Sequence, residues 1–367
     1  MCITIIGSLN YDLVTYTDRL PNAGETFKAN KFETHIGGKG LNQTIAVAKL
    51  SKNMPIKMLG HVGNDTFGDN ILGMLSKYND LDLSDVQRAP LGLGTGVATI
   101  IVDQCSNNQN RILITEGANI LTNYTAFQLD RIFPLYGDST RVTGNNSIGT
   151  TPTTITSNSM ANINDDVEFI VLQNEIPNSC FIIEWMFKYR SENQIVFNPS
   201  PFNDQISSSV WNKRIDILIV NEVEAIQVLQ ANITNSNLFT NFQNKISQDF
   251  IQGYREIATY LHQHFIKKDN LGAVIITLGA KGCIYLSNNT ELTYKPSIFV
   301  PNEHIVDTTG AGDTFLGACI SQLAQGATLD DAIHFALIAS SIVIQKKGAS
   351  QSIPSYEEVM RKSTSLM

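Results

Sequence analysis

The chain is expected to fold as a three-layer α/β/α domain: a mostly parallel sheet covered by helices on both faces, with a small antiparallel sheet beside it. Three observations predict this. Short β-rich apolar runs alternate with helix-period runs along most of the 367 residues, the pattern of βαβ units. Polar residues collect just after the strand-like runs, where open α/β sheets bind ligands. Two stretches break the alternation and read as strands with no helix between them.

In chain order, residues 3–7 form a β-rich opener, with Asn10 and Asp12 just beyond it. Residues 25–34 read as a strand, 44–50 as a helix, 57–62 as a strand and 69–78 as a helix. Within 95–115, the runs 99–102 and 111–114 flank the polar stretch 103–110, which reads as a hairpin. With 25–34 it would build the small antiparallel sheet from segments of about 11–36 and 92–117; an edge extension of the main sheet is the alternative. Helix 126–133 leads into 137–166, which is dense in Ser, Thr and Asn and is expected to be a flexible insertion. Strands at 168–172, 194–198 and 215–221 follow, then a helix at 222–230. The Asn-rich segment 232–244 reads as a second insertion, disordered or decorating the surface, before an amphipathic run at 254–265. A strand at 273–278 and helices at 315–325 and 329–345 complete the pattern.

Composition narrows the function. Hydrophobic residues make up 43% and charged residues 16%, too apolar for global disorder. A net charge of −8 argues against nucleic acid or an anionic membrane as main partner, and no apolar run reaches the length of a membrane span. The N-terminus starts as a strand with no basic leader, so no secretory signal is expected. The five cysteines (2, 105, 180, 283 and 319) are odd in number and scattered, which fits reduced cytosolic thiols and not a disulfide framework or zinc site.

Two glycine motifs carry chemistry. Residues 306–315 read Val-Asp-Thr-Thr-Gly-Ala-Gly-Asp-Thr-Phe. Gly310, Ala311 and Gly312 lack bulk and run into a helix, whose N-terminal N–H groups favour an anion. Asp313 stands in that first turn. A carboxylate there is poorly suited to holding a phosphate and well suited to taking a proton from a hydroxyl during phosphoryl transfer. Alone, the stretch also reads as a glycine loop with a capping Asp. The second motif, residues 37–43, reads Gly-Gly-Lys-Gly-Leu-Asn-Gln and again opens a helix. Gly38 and Gly40 permit close approach, and Lys39 and Asn42 beside them suit a polyhydroxylated ligand.

In order and spacing, these two motifs resemble the ribokinase branch of the ribokinase-like (PfkB) sugar kinases. The resemblance covers nearly the whole chain. The segments Gly-Ser-Leu-Asn-Tyr-Asp and Leu-Pro-Asn-Ala-Gly-Glu-Thr are similar to fungal members in particular. It implies one catalytic domain over 1–367 with a Rossmann-like core, the small sheet acting as a lid over the sugar and as a homodimer contact. It implies ATP-dependent phosphorylation of D-ribose at O5 by a cytoplasmic, or cytoplasmic and nuclear, enzyme. Adenosine, deoxyribose and other sugars remain alternative substrates, and a non-catalytic sugar-binding homologue is the alternative of another class.

The resemblance also distributes roles. Asn10, Asp12, Gly38, Lys39, Gly40, Asn42 and Glu175 would hold the sugar, and Asp313 would be the base. The N–H groups of residues 310 to 313 would form an anion hole. Asn221, Thr277, Gly279, Gly282, Gly310, Ala311 and Gly312 would meet ATP, and Glu224 would hold Mg²⁺ through water. Asp307, Thr309, Val343, Lys346, Gly348 and Ser352 would surround an activating K⁺, mostly through carbonyls. Leu337 departs from the pattern of the bacterial members, where a polar contact to the nucleotide is common.

Overall fold

A computed structural model describes residues 1–105, 109–134, 167–203, 206 and 208–366. The expected insertion 137–166 lies outside these residues.

The first half of the chain contains β1 (Cys2–Ile6), β2 (Asn10–Thr17), β3 (Lys31–Gly37), α1 (Lys39–Leu50), β4 (Ile56–Val62), α2 (Thr66–Leu75), β5 (Leu81–Asp82), β6 (Val86–Arg88), β7 (Gly96–Asp103), β8 (Gln109–Thr115) and α3 (Ala126–Ile132). Then come β9 (Glu168–Gln173), α4 (Ser179–Tyr189), β10 (Gln194–Asn198), β11 (Ile217–Asn221), α5 (Glu222–Asn232), α6 (Ser236–Gln248) and α7 (Phe250–Phe265). The C-terminal part holds β12 (Ala273–Thr277), β13 (Cys283–Ser287), β14 (Thr290–Lys295), α8 (Ala311–Ala324), α9 (Leu329–Val343) and α10 (Tyr356–Leu366).

The main sheet has the order β14-β13-β12-β11-β10-β9-β1-β4-β5, with β6 also on β4. It is parallel from β12 to β5; β13 and β14 add an antiparallel edge. The central strands are apolar on both faces, as a sheet covered on two sides requires. Their side chains alternate between two cores. Ile3 and Ile5 of β1, Phe169 and Val171 of β9 and Ile275 of β12 pack with residues of α1, α8 and α9. Ile6, Ile170, Leu172, Val274 and Ile276 pack with residues of α4, α5 and α7. This is the three-layer α/β/α arrangement that the alternation predicts.

A second sheet stands apart in the order β3-β2-β7-β8. Two expectations need correction here. The sheet is mixed: β2–β3 and β7–β8 are antiparallel, but β2 and β7 pair in parallel, Asn10 opposite Gly96. Asn10 and Asp12, just beyond the first strand as expected, lie on β2 of this sheet. The strand expected at 25–34 starts only at Lys31. The Glu25 carboxylate folds back onto Arg19 and, at 2.9 Å, the Asn22 N–H, closing a compact turn that keeps 25–30 out of the ladder.

The Asn-rich segment 232–244 is not disordered. It contains the start of α6, where the Asn235 side chain accepts from the N–H groups of Asn237 and Leu238, a typical helix cap. Phe242 of α6 is buried edge-on to Tyr260 of α7. Among the described residues no helix is long and apolar enough to cross a membrane, and all five cysteines are free thiols.

Helices α1 and α8 approach each other closely through Gly317. A Cβ there would run into the Ala46 methyl and lie 3.1 Å from the Val47 nitrogen. Gly317 is one turn from Asp313, and Ala46 one turn from Asn42 and Gln43, so this contact sets the distance between both motifs. Gly317→Val is expected to destabilise the fold by about 1–3 kcal/mol through overpacking, read as a lower urea midpoint with unchanged slope. An unchanged midpoint would mean that the two helices can separate freely.

Candidate active site

The site gathers at the C-terminal ends of the parallel strands. After β1 the chain passes Gly7 and Ser8, and α1 begins directly against it. The Leu41 N–H donates to the Ser8 carbonyl at 2.9 Å. A Cβ on Gly40 would sit 2.6 Å from the Gly7 carbonyl carbon, and Gly38 has φ +91°, so both glycines are needed for this entry into the helix. Glu175, just beyond β9, ties the two together: its Oε2 accepts from the Lys39 N–H at 2.9 Å and from the Ser8 hydroxyl.

The proposed sugar residues converge here from both sheets. Asn10 is buried, and its Oδ1 accepts from Asn119 Nδ2 at 2.7 Å. Asn119 also accepts from the Leu9 N–H at 2.8 Å, which fixes the chain as it leaves the main sheet for the second one. The Asp12 carboxylate lies against Gly37, where any Cβ would collide with it. Burial, and then the negative charge of Glu175, push Asp12 up to about 7. Asp12 and Glu175 therefore face one space from different sheets.

Asp313 is almost fully buried in the first turn of α8, behind Gly310 in the left-handed conformation at φ +77°. Both of its oxygens accept side-chain amides. Asn42 Nδ2 donates to Oδ2 at 3.0 Å and Gln43 Nε2 to Oδ1 at 2.9 Å. Gln43 is held in turn by Gln173 Nε2, which donates to its Oε1 at 2.6 Å. Asn42 Oδ1 is buried with no protein partner, so a ligand hydroxyl can satisfy it.

The nucleotide and metal residues surround two adjoining cavities. One, of about 220 Å³, is polar and is lined by Lys39, Asn221, Glu224, Gly310, Gly312 and Asp313. Burial works against the Lys39 charge, but Asp313, Glu175 and Glu224 outweigh it and hold the ammonium above the ordinary lysine value. Lys39 thus lies among the carboxylates of every part of the site and does more than shape the glycine loop. Glu224 and Asn221 form a reciprocal helix cap, Asn221 N–H to Glu224 Oε2 at 3.0 Å and Glu224 N–H to Asn221 Oδ1 at 2.8 Å, while both still line the cavity.

The second cavity, of about 450 Å³, is mostly apolar and shares Thr277 and Gly312 with the first. Gly279, Phe299, Val300, Leu337 and Ile344 are among its walls. A Cβ on Gly312 or Gly279 would meet nothing within 4 Å, so each opens onto free space. Gly282 also lines this cavity, and a Cβ on it would strike the Lys295 carbonyl beside β14. Its φ of +101° serves the turn after β12. Ala311 contributes less to an anion hole than expected, because its N–H already donates to the Thr308 carbonyl at 3.3 Å.

The residues assigned to the monovalent cation come together next to Gly310. Asp307 bridges two loops, accepting from the Thr309 N–H at 2.9 Å and the Gly348 N–H at 3.0 Å. Burial opposes its charge, yet these bonds and nearby Lys347 keep it below the ordinary carboxylate value. The Ser352 hydroxyl donates to the carbonyls of Gly348 and Ala349. Lys346 N–H donates to the Val343 carbonyl at 3.1 Å, and its ammonium turns away to Glu358.

Sequence reasoning missed Ser8, Asn119, Gln173 and the apolar walls at 299–300. It quoted Gln43 within its motif without giving it a role. The signal for Gln43 was its place beside Asn42 at the start of a helix; Gln173 and Asn119 had none, since only the fold brings them in.

Known proteins are similar to this chain in sequence and fold. The family model described as pfkB family carbohydrate kinase matches residues 2–132 and 140–356. The chain is 33% identical to the ribokinase of Schizosaccharomyces pombe, over 97% of this chain and 96% of the relative. It is 30% identical to the ribokinase of Lactococcus lactis, over 98% and 96%. Among solved structures, the Cryptococcus neoformans ribokinase in complex with ADP superposes with a TM-score of 0.72 at 25% identity, covering 98% of this chain and 99% of that one. A family match over both glycine motifs, the buried carboxylate between them and the sheets that carry them places this chain in the pfkB family of carbohydrate kinases.

Proposed function

We propose that this protein is an ATP-dependent ribose kinase that transfers the γ-phosphoryl group of ATP to O5 of D-ribose, and that residues 1–367 act as one catalytic unit. The observation that carries this reading is the position of Asp313. It sits at a helix N-terminus, gripped by two amides, with a polyol-type clamp on one side and a polar cavity leading to an apolar one on the other. The names of the two relatives quoted above support ribose as the sugar.

In this mechanism Asn10, Asp12, Asn42 and Glu175 hold the ribose hydroxyls, and Gly38 and Gly40 let the sugar approach the backbone. Asp313 accepts the O5 proton as the O5–phosphorus bond forms and the bond to the ADP oxygen breaks. N–H groups of the turn 310–313 and the Lys39 ammonium stabilise charge on the phosphoryl oxygens. The apolar cavity takes the adenine. Leu337 offers packing surface to the base, with the polar side chains of Asn302, Ser340 and Ser341 also in the cavity wall.

One buried carboxylate, Glu224, beside Asn221 fits a hydrated Mg²⁺ that arrives on the nucleotide phosphates. The ion would supply neutralisation of phosphate charge. The Asp307 bridge between two carbonyl-bearing loops fits a large, weakly hydrated cation such as K⁺, which would stiffen the turn at Gly310. We read the second sheet as a lid over the sugar and as the homodimer contact. Its edge strand β8 exposes Ile112, Leu113 and Ile114, which supports pairing with another copy. The cytoplasm, or cytoplasm and nucleus, is the proposed location.

A coupled assay for ADP release over ribose, deoxyribose, fructose and adenosine tests the substrate, with ribose expected to give the highest kcat/KM. Turnover of adenosine alone would move the chain to another branch, and no turnover at all would leave only sugar binding. Asp313→Asn should reduce kcat by about 10²–10⁴-fold while sugar and ATP still bind; a variant keeping more than about a tenth of the activity would remove Asp313 as the base.

Rates measured against KCl at constant ionic strength, with tetramethylammonium as replacement, should rise strongly with K⁺ and little with Na⁺. Asp307→Ala should raise the K⁺ concentration required. Full activity without K⁺ would rule the cation site out.

Asp12 makes the stability of the sugar-free protein depend on pH. Its folded value of about 7 lies above the ordinary 3.8, so the folded chain holds a proton that the unfolded chain has released. That contribution is complete below 3.8 and is lost as pH rises to about 7. Asp12→Asn should remove it. The wild-type urea midpoint should therefore fall more than the variant's between pH 5 and 8, and parallel falls would show that Asp12 is ionised throughout.

A further inference from the structure

We propose that Gln43, with Gln173 behind it, is a positioning pair for the carboxylate of Asp313, setting both its direction and its readiness to take a proton. This rests on the reading of Asp313 as the base.

The chain of donors has a direction. Gln173 Nε2 donates to Gln43 Oε1 at 2.6 Å, which leaves only the amide nitrogen of Gln43 to face Asp313, at 2.9 Å. Without Gln173, Gln43 could rotate and present its carbonyl to the carboxylate. Both glutamines are fully buried, so no water can replace the arrangement. Gln173 is itself fixed by packing, because a Cβ on Gly7 would collide with its side-chain amide. Both ends of the Gln43 amide are taken up by Asp313 and Gln173, and neither glutamine has exposed surface, so they act through Asp313 and not on the ligand. Asn42 holds the other oxygen but also offers Oδ1 to a ligand; Gln43 has both ends occupied within the protein.

Among the described residues, the charged groups near Asp313 are Lys39 from α1 and Glu224 from α5, with Glu175 also beside Lys39 and Asp12 beside Glu175. A neutral donor from Gln43 fixes the carboxylate without adding charge that would bind phosphate.

The test compares wild type with Gln43→Leu, Gln43→Glu, Gln173→Met and Asp313→Asn, measuring kcat, KM for ribose and the pH dependence of kcat/KM. Gln43→Leu should lower kcat about ten- to a hundredfold, the worth of a hydrogen bond to a charged group, with KM for ribose changed little. Its acid limb should move to higher pH, because the base loses a donor that stabilises its ionised form. Gln173→Met should move both quantities the same way by less. Gln43→Glu keeps the shape and sets two carboxylates side by side, so its acid limb should rise by about a unit or more. If Asp313→Asn is inactive while folded Gln43→Leu or Gln43→Glu keeps kcat within about twofold and its acid limb unmoved, the positioning role is overturned and the base assignment stands. An active Asp313→Asn overturns both. Equal losses in kcat and thermal stability with no shift of the acid limb would mark the pair as packing alone.

Discussion

The contact between α1 and α8 is the constraint on which the site depends. Each helix begins at a glycine turn beyond the sheet, and each carries half of the chemistry: Asn42 and Gln43 on one, Asp313 on the other. The Lys39 ammonium of α1 and the Asp313 carboxylate of α8 attract each other, but charge alone does not set their separation. They meet because Gly317 lets the backbone of α1 come within reach, and two amides then close on one buried carboxylate. A side chain at 317 would widen the gap, and bonds of 2.9 and 3.0 Å leave little room for that. The Asp313 carboxylate is therefore oriented by core packing several residues away from it.

The parallel core and the glycine motifs were legible in the sequence because they obey local rules. Strands such as 168–172 are short, β-branched and bounded by polar residues, and the glycines at 38 and 310 mark turns that need positive φ. What was not legible depends on contacts between distant segments. The segments of the second sheet were foreseen at about 11–36 and 92–117, but nothing in Asn10–Thr17 says that it pairs in parallel with Gly96–Asp103; Asn119 fixes the exit at Leu9 and Asn10 from which that pairing starts. Asn-rich composition misled at 232–244, where Asn235 serves as a cap and a single buried Phe242 is enough to anchor a surface helix. Gln173 fell just past the strand expected at 168–172, and only the fold brings it to Gln43.

The two adjoining cavities differ in polarity. The polar one has charged groups on its walls and the glycine turn at its edge, and the apolar one takes its shape from β12 and the segments before α8 and within α9. Thr277 and Gly312 stand at the boundary. Gly279 and Gly282, which look alike in sequence, differ in what surrounds them: the first opens to space and the second is wedged against Lys295. A repeated glycine motif can thus combine one position kept small for a ligand with another kept small for the neighbouring strand.

The surroundings of Lys39 have a consequence for what the site will admit. One ammonium is shared among Asp313, Glu175 and Glu224, so the cavity is net negative before anything enters. A bare polyphosphate carries several negative charges and would be repelled by it, whereas a nucleotide already neutralised in part by a divalent ion would meet a weak field. If the pocket takes ATP as proposed, its charge would sort visitors before shape is consulted, and a metal-bound nucleotide would suit it better than a bare one.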